Sequence, residues 1–186
     1  MKRSLILDNE LKREYLEQVW QIDRSAYGLE PRPHQFKWEE RKPWMYHLLR
    51  EGNDVLGYTL VMPLRKATYT AMKEGKIWEE DLRVSDIDDI GPEGLYLFSC
   101  AASPIVRFNK EPFVTGTLCG IVGGQLGRAS REVIATPINK TGQKIVEMLK
   151  MHQIPSGLKI KGVEGYSPQV FLKTPYDDRT PLNIGV

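Results

Sequence analysis

The sequence predicts an α/β (α+β) fold, a mixed central sheet flanked by helices, and three stretches of pattern carry that prediction. From Leu95 to Gln153 the chain runs without a break through an apolar strand, a short basic loop, a glycine-spaced helix, a second strand and a closing amphipathic helix. From Trp44 to Met62 two apolar runs flank Glu51–Asp54, where glycine, asparagine and aspartate supply the turn conformations of a hairpin. Near the N-terminus a short apolar strand gives way to a helix with one apolar stripe. Strands alternating with helices around a hairpin fit one helix-covered sheet, and a chain of 186 residues suits a single domain over 1–186.

In chain order, Leu5–Leu7 is the first strand, and Asp8 or Asn9 can cap the helix from Glu10 to about Ala26. There Leu11, Tyr15, Val19 and Ile22 recur at helical spacing. Gly28–Pro33 breaks that helix; Pro31–Pro43 is polar, basic and aromatic, with His34, Phe36 and Trp38, and has room for a short second one. The hairpin strands are Trp44–Leu49 and Val55–Met62, the latter stopped by Pro63. Arg65–Lys73 reads as a helix ended by Gly75, and Glu79–Ile90 as an acidic, irregular surface excursion.

Leu95–Ala102 is a buried strand by composition, and Ser103-Pro104 ends it because proline cannot donate to a ladder. The basic loop Arg107–Lys110 follows. On the next helix Val114, Leu118, Ile121, Val122 and Leu126 form an apolar face, with Gly116, Gly120 and Gly124 in a second row. Each glycine costs about 1 kcal/mol relative to alanine, so close helix-to-sheet packing is the expected compensation. Val133–Thr136 is another strand. Asn139 or Thr141 caps a last helix that buries Ile145, Met148 and Leu149, and Gly157–Ile160 and Gln169–Lys173 give two terminal strands around Gly162–Ser167.

Composition removes several function classes. The 26 basic and 24 acidic residues are well mixed, which leaves no electrostatic footprint of a nucleic-acid binder. The longest uncharged run, Pro112–Gly127, falls short of the ~20 apolar residues of a spanning helix and is broken by glycines, so no membrane segment is read. The charged start followed by Leu5–Leu7 reads as a strand, not a leader. Cys100 and Cys119 have neither metal-ligand nor redox-pair spacing, which favours a reduced, cytoplasmic protein. His34, His47 and His152 are isolated, so neither a metal site nor a catalytic triad is supported, and His47 alternates with core residues.

What chemistry there is concentrates around the strand at Leu95–Ala102. Positive charge at Arg107 and Lys110, with Asn109 between them, sits just before a helix whose N-terminal N–H groups suit a phosphate; an ordinary solvated loop is the other reading. Cys100 is a small hydrophobe rather than a nucleophile, for want of a histidine or acid at a recognisable spacing. Asn139 and Gln143 contact a ligand or serve the helix end alone. Trp38, Trp44 and Tyr46 line an acceptor pocket or pack the N-terminal helices onto the sheet.

The order of elements over nearly the whole chain, and Val133–Leu149 in particular, resembles the GNAT superfamily of acyl-coenzyme A-dependent N-acetyltransferases. Two features depart from the family's pattern. Its pyrophosphate loop, Arg/Gln-x-x-Gly-x-Gly/Ala, is replaced here by Arg107–Phe113, which has no glycine and contains Glu111 and Pro112. The tyrosine that many family members carry two helical turns past the asparagine is Val146 here, and no unique general base stands out.

The resemblance implies acetyl-CoA or another acyl-CoA as co-substrate, its pantetheine arm against the backbone of Phe98, Ser99, Cys100, Ala101 and Ala102. Its phosphates would rest on Arg107, Asn109 and Lys110, with Asn139 and Gln143 alongside. The implied activity is N-acyl transfer, chiefly acetyl, by direct attack of a small-molecule or protein amine, with backbone N–H groups near Cys100 polarising the thioester carbonyl. The alternative is a catalytically degenerate module of the same fold that binds a partner or another ligand. A homodimer is compatible with either.

Overall fold

The computed structural model describes residues 4–28, 38–108, 112–128, 131–160, 162 and 166–174. Seven strands form a mixed sheet in the order β1-β2-β3-β4-β5-β7-β6, with helices flanking it. The chain clusters into two compact units, one of residues 1–60 and 99–122, the other of residues 61–98 and 123–186.

In the first unit β1 (Leu5–Asp8) pairs antiparallel with β2 (Tyr46–Glu51), from Leu5↔Glu51 to Asp8↔Leu48. β2 makes the predicted hairpin with β3 (Asp54–Leu64) through a turn in which Gly52 takes φ 60°. Their register, Leu48↔Tyr58 and Leu49↔Gly57, sorts side chains between two faces. On one face Leu49, Leu56, Val106, Val114 and Leu118 form a core. A Cβ at Gly57 would lie 2.5 Å from Leu118 Cδ1 and 2.7 Å from the Ala101 carbonyl, so only glycine fits there.

The other face carries Tyr46 and Tyr58 toward helix α1 (Leu16–Tyr27), which buries Val19 and Ile22 and ends at Gly28, φ 67°. Asp8 and Asn9 do not cap this helix: a 3₁₀ turn at Arg13–Tyr15 precedes it, and Asp8 instead accepts from Arg50 Nε at 2.5 Å. The Arg50 guanidinium stacks 4.6 Å over Tyr15 and holds the Asp8 carboxyl below its ordinary range. Residues 38–41 are helical, as the room for a second helix allowed; residues 31–37, with His34 and Phe36, lie outside the described residues.

In the second unit β3 runs on through Pro63, against expectation, because the end of the strand needs no donor there: the Pro63 carbonyl accepts from Asp88 and Leu64 bridges Ile87. α2 (Lys66–Lys73) ends at Gly75, φ 71°, and the acidic excursion contains 3₁₀ turns at Glu79–Asp81 and Val84–Asp86. β4 (Gly94–Ala102) pairs parallel with β5 (Val133–Ala135). After β4 come α3 (Pro104–Phe108) and α4 (Pro112–Arg128).

α5 (Lys140–Met148) is shorter than expected, because Lys150 takes φ 57° and turns the chain into β6 (His152–Ile154). Met148 is therefore exposed, while Val146 and Leu149 carry the buried face. β6 pairs with β7 (Val170–Lys173), and Gly157–Ile160, expected as a strand, is not one: the Gly157 N–H donates to Glu74. No helix among the described residues is long and apolar enough to cross a membrane.

Candidate active site

The first part of the candidate site is the far half of β4. Its register with β5 runs from Leu95↔Val133 to Leu97↔Ala135, where β5 ends, and the strand continues to Ala102. Toward β3, Ser103 N–H donates to the Leu56 carbonyl at 2.8 Å. Ser103 Oγ is buried and has no hydrogen-bond partner among the described residues.

The basic loop proves partly helical, since Pro104 starts a short helix at the end of β4 and Arg107 lies within it. The Arg107 guanidinium is exposed and donates to the Ser25 carbonyl at 3.1 Å and to the Ser25 hydroxyl. Asn109 and Lys110, with Glu111, lie outside the described residues.

Cys100 and Cys119, which the sequence separates, meet as free thiols. Cys100 is held well above the ordinary thiol range by its hydrogen bond to Cys119 and by burial, and Cys119 is lowered correspondingly. A protonated Cys100 packed beside Leu49 and Leu118 is a core side chain.

On the face toward α1 lies a cluster that pattern reading missed. The Tyr58 hydroxyl donates to Asp23, and Trp20 Nε1 donates to Glu39 Oε1 at 2.9 Å. Tyr46 also hydrogen-bonds the Glu39 carboxyl. Tyr46 and Tyr58 stack with centroids 5.9 Å apart, and Tyr27 Oη lies 3.1 Å from Ser99 Oγ on β4. Burial lifts Asp23 to about 7 against the pull of the Tyr58 hydroxyl, and lifts Glu39 above its usual range against Trp20 and Tyr46. Trp38 and Tyr46 are buried beside this cluster's elements, whereas Trp44 is exposed. One signal was available: Asp23 lies one turn beyond Val19, on the buried stripe of α1.

In the second unit Asn139 caps α5, its Oδ1 accepting from Gly142 N at 2.7 Å. Gln143 donates to Glu147 at 2.8 Å and accepts from the Tyr166 hydroxyl at 2.9 Å. Val146 is buried, so the helix carries no acid at that place, but Tyr166 brings a phenol to the same helix from a later segment. No group of three or more metal-ligating side chains occurs among the described residues.

No family model matches the chain, and no curated protein does. Solved structures do match. The loading GNATL domain of CurA from Lyngbya majuscula superposes with a TM-score of 0.66 at 11% identity, over 92% of this chain and 97% of that one. Naa50 of Arabidopsis thaliana, solved with the bisubstrate analogue CoA-Ac-MVNAL, gives 0.61 at 9% identity over 92% and 99%. The diaminobutyrate acetyltransferase EctA of Paenibacillus lautus, solved with L-2,4-diaminobutyric acid and coenzyme A, gives 0.57 at 10% over 97% and 100%. The chain has the GNAT fold.

Proposed function

We propose that this chain is an acyl-coenzyme A-dependent N-acyltransferase, chiefly an acetyltransferase, acting on a small-molecule or protein amine in a reduced, cytoplasmic setting. The observation that carries the reading is that β4 continues to Ala102 beyond the end of its register with β5 at Leu97, and is followed by a buried Ser103 hydroxyl with no partner among the described residues. The backbone of residues 98–102 would receive the pantetheine arm, and N–H groups near Cys100 would polarise the thioester carbonyl. Arg107, Asn109 and Lys110 would face the phosphates, Arg107 by leaving Ser25. The amine attacks directly, with no covalent enzyme intermediate.

A second reading, a module of this fold that binds a ligand without chemistry, is favoured by one observation: Val146 is a buried apolar residue at the place where the resemblance to the family leads one to expect a tyrosine. Mass spectrometry after incubation with acetyl-CoA and an amine mixture separates the two. Paired appearance of free coenzyme A and an N-acetyl product supports the enzyme; acetyl-CoA that binds and stays intact supports the module.

A further inference from the structure

The chain has two cysteines, on two different elements, and the fold brings them together: Cys100 on β4 and Cys119 on α4 hydrogen-bond as free thiols. Packing on β3 sets the meeting. A Cβ at Gly57 would stand 2.5 Å from Leu118 Cδ1 and 2.7 Å from the Ala101 carbonyl, so α4 at Leu118 and β4 at Ala101 close on one spot, with Cys119 and Cys100 the next residues along. Cys100 is half-buried and packs against the core that contains Leu49 and Leu118, while Cys119 is buried. Alanine or valine would fill either place without a reactive sulfur, so two thiols in contact point to sulfur chemistry rather than to packing.

We propose that Cys100 and Cys119 are a modification site: a hydroperoxide converts the two thiols into a disulfide that ties β4 to α4, and, resting on the acyl-transfer reading above, this bond shuts the acyl-CoA site. The Cys119 sulfur, as thiolate, attacks one peroxide oxygen; the O–O bond breaks, the hydroxide takes up the proton that Cys119 gave up, and water and a sulfenic acid result. The Cys100 sulfur then displaces the sulfenic hydroxyl, which leaves with the Cys100 proton as a second water. The two sulfurs lose two electrons and the peroxide gains them. Cys119 reacts first because the hydrogen bond from Cys100 lowers it to about 7, which supplies thiolate at neutral pH. In a reduced compartment such a bond is transient and reports oxidant.

A bond between the sulfurs is shorter than a hydrogen bond between them, so forming it draws strand and helix together. α4 has no room for that move, since Leu118 already presses on a place of β3 that admits only glycine. β4 moves instead, at Cys100, in the middle of the stretch assigned to the pantetheine arm. The N–H groups meant for the arm and the thioester carbonyl then leave their places.

The test uses the full chain, reduced with a phosphine that is then removed, and hydrogen peroxide as oxidant. Alkylation followed by peptide mass spectrometry is expected to find two free thiols before peroxide, and the Cys100 and Cys119 peptides joined within one chain after it, with dithiothreitol restoring both. Sulfinic acids, cross-linked dimers or two thiols still free overturn the disulfide, and this arm does not depend on acetyl-CoA. Calorimetry with acetyl-CoA follows. No heat from the reduced chain overturns the acyl-CoA reading and the control exerted on that site, a failure distinct from that of the disulfide. With heat, the oxidised chain is expected to bind acetyl-CoA about tenfold or more weakly, the equivalent of one or two lost backbone hydrogen bonds, and to recover on reduction. Equal affinity of the two forms overturns the control. Cys119→Ser keeps Cys100 and removes its partner, so peroxide is expected to leave the affinity of this variant unchanged; an equal loss in the variant overturns the proposal. Should Cys119→Ser fail to fold, Cys119→Ala serves, since it removes the sulfur without burying a hydroxyl.

Discussion

The Tyr58 hydroxyl on β3 donates to the Asp23 carboxyl on α1, a contact between groups that lie far apart in the sequence. It is the strongest opposition to a burial that otherwise drives Asp23 from 3.8 to about 7. The consequence for stability follows from linkage. Between those two values the folded state binds more protons than the unfolded chain, so the contribution of Asp23 is fully present below 3.8 and is lost as pH rises through about 7. Relative to Asp23→Asn, the wild type should lose roughly 2–4 kcal/mol between acid and neutral pH, and the two should run parallel above it. Urea unfolding across that range measures the difference; parallel curves throughout would contradict the burial of this carboxyl.

The glycines divide into two kinds. Gly57→Ala drives a Cβ into the Ala101 carbonyl and Leu118, and should cost about 1–3 kcal/mol or more as overpacking. Gly116 and Gly124 were expected to sit against the sheet, but a Cβ at either meets nothing within 4 Å. Alanine there should therefore stabilise α4 by about 0.5–1 kcal/mol each, read as a shift in urea midpoint.

Asn139→Ala removes the cap of α5 and should cost about 1 kcal/mol, whereas Asn139→Ser keeps a side-chain acceptor and should cost a few tenths at most. If Asn139 also contacts the co-substrate, Asn139→Ser will weaken acetyl-CoA binding while leaving thermal stability in place, and calorimetry on the two variants separates the roles.

Arg107→Glu should weaken acetyl-CoA binding by about tenfold or more, since a charge-assisted phosphate contact becomes a repulsion. Ser25→Ala should do the opposite, because it removes the hydroxyl that now occupies the guanidinium. Unchanged affinity in both variants would remove Arg107 from the phosphate site.

Pattern reading recovered the hairpin and β4 because both are long runs with one clear periodicity or burial. It lost β6 because His152 and Gln153 are exposed and the strand is only three residues long, too short to carry alternation. It placed Met148 in the core because a helical stripe cannot reveal that Lys150 turns left-handed and ends the helix. The candidate site was legible only along the chain, as a strand and a basic loop. Asp23 reads as a flaw in an apolar stripe, and its meaning depends on Tyr58, Tyr46 and Glu39, which arrive from three other elements. Tyr166 reaches α5 in the same non-local way.

The central claim is that the far half of β4 binds an acyl-coenzyme A, and titration calorimetry with acetyl-CoA, paired with a thermal melt, tests it most directly. The account predicts saturable heat and a melting temperature that climbs with ligand, equivalent to about 2.7 kcal/mol at a hundredfold excess over Kd. No heat and no thermal shift at millimolar acetyl-CoA would contradict it.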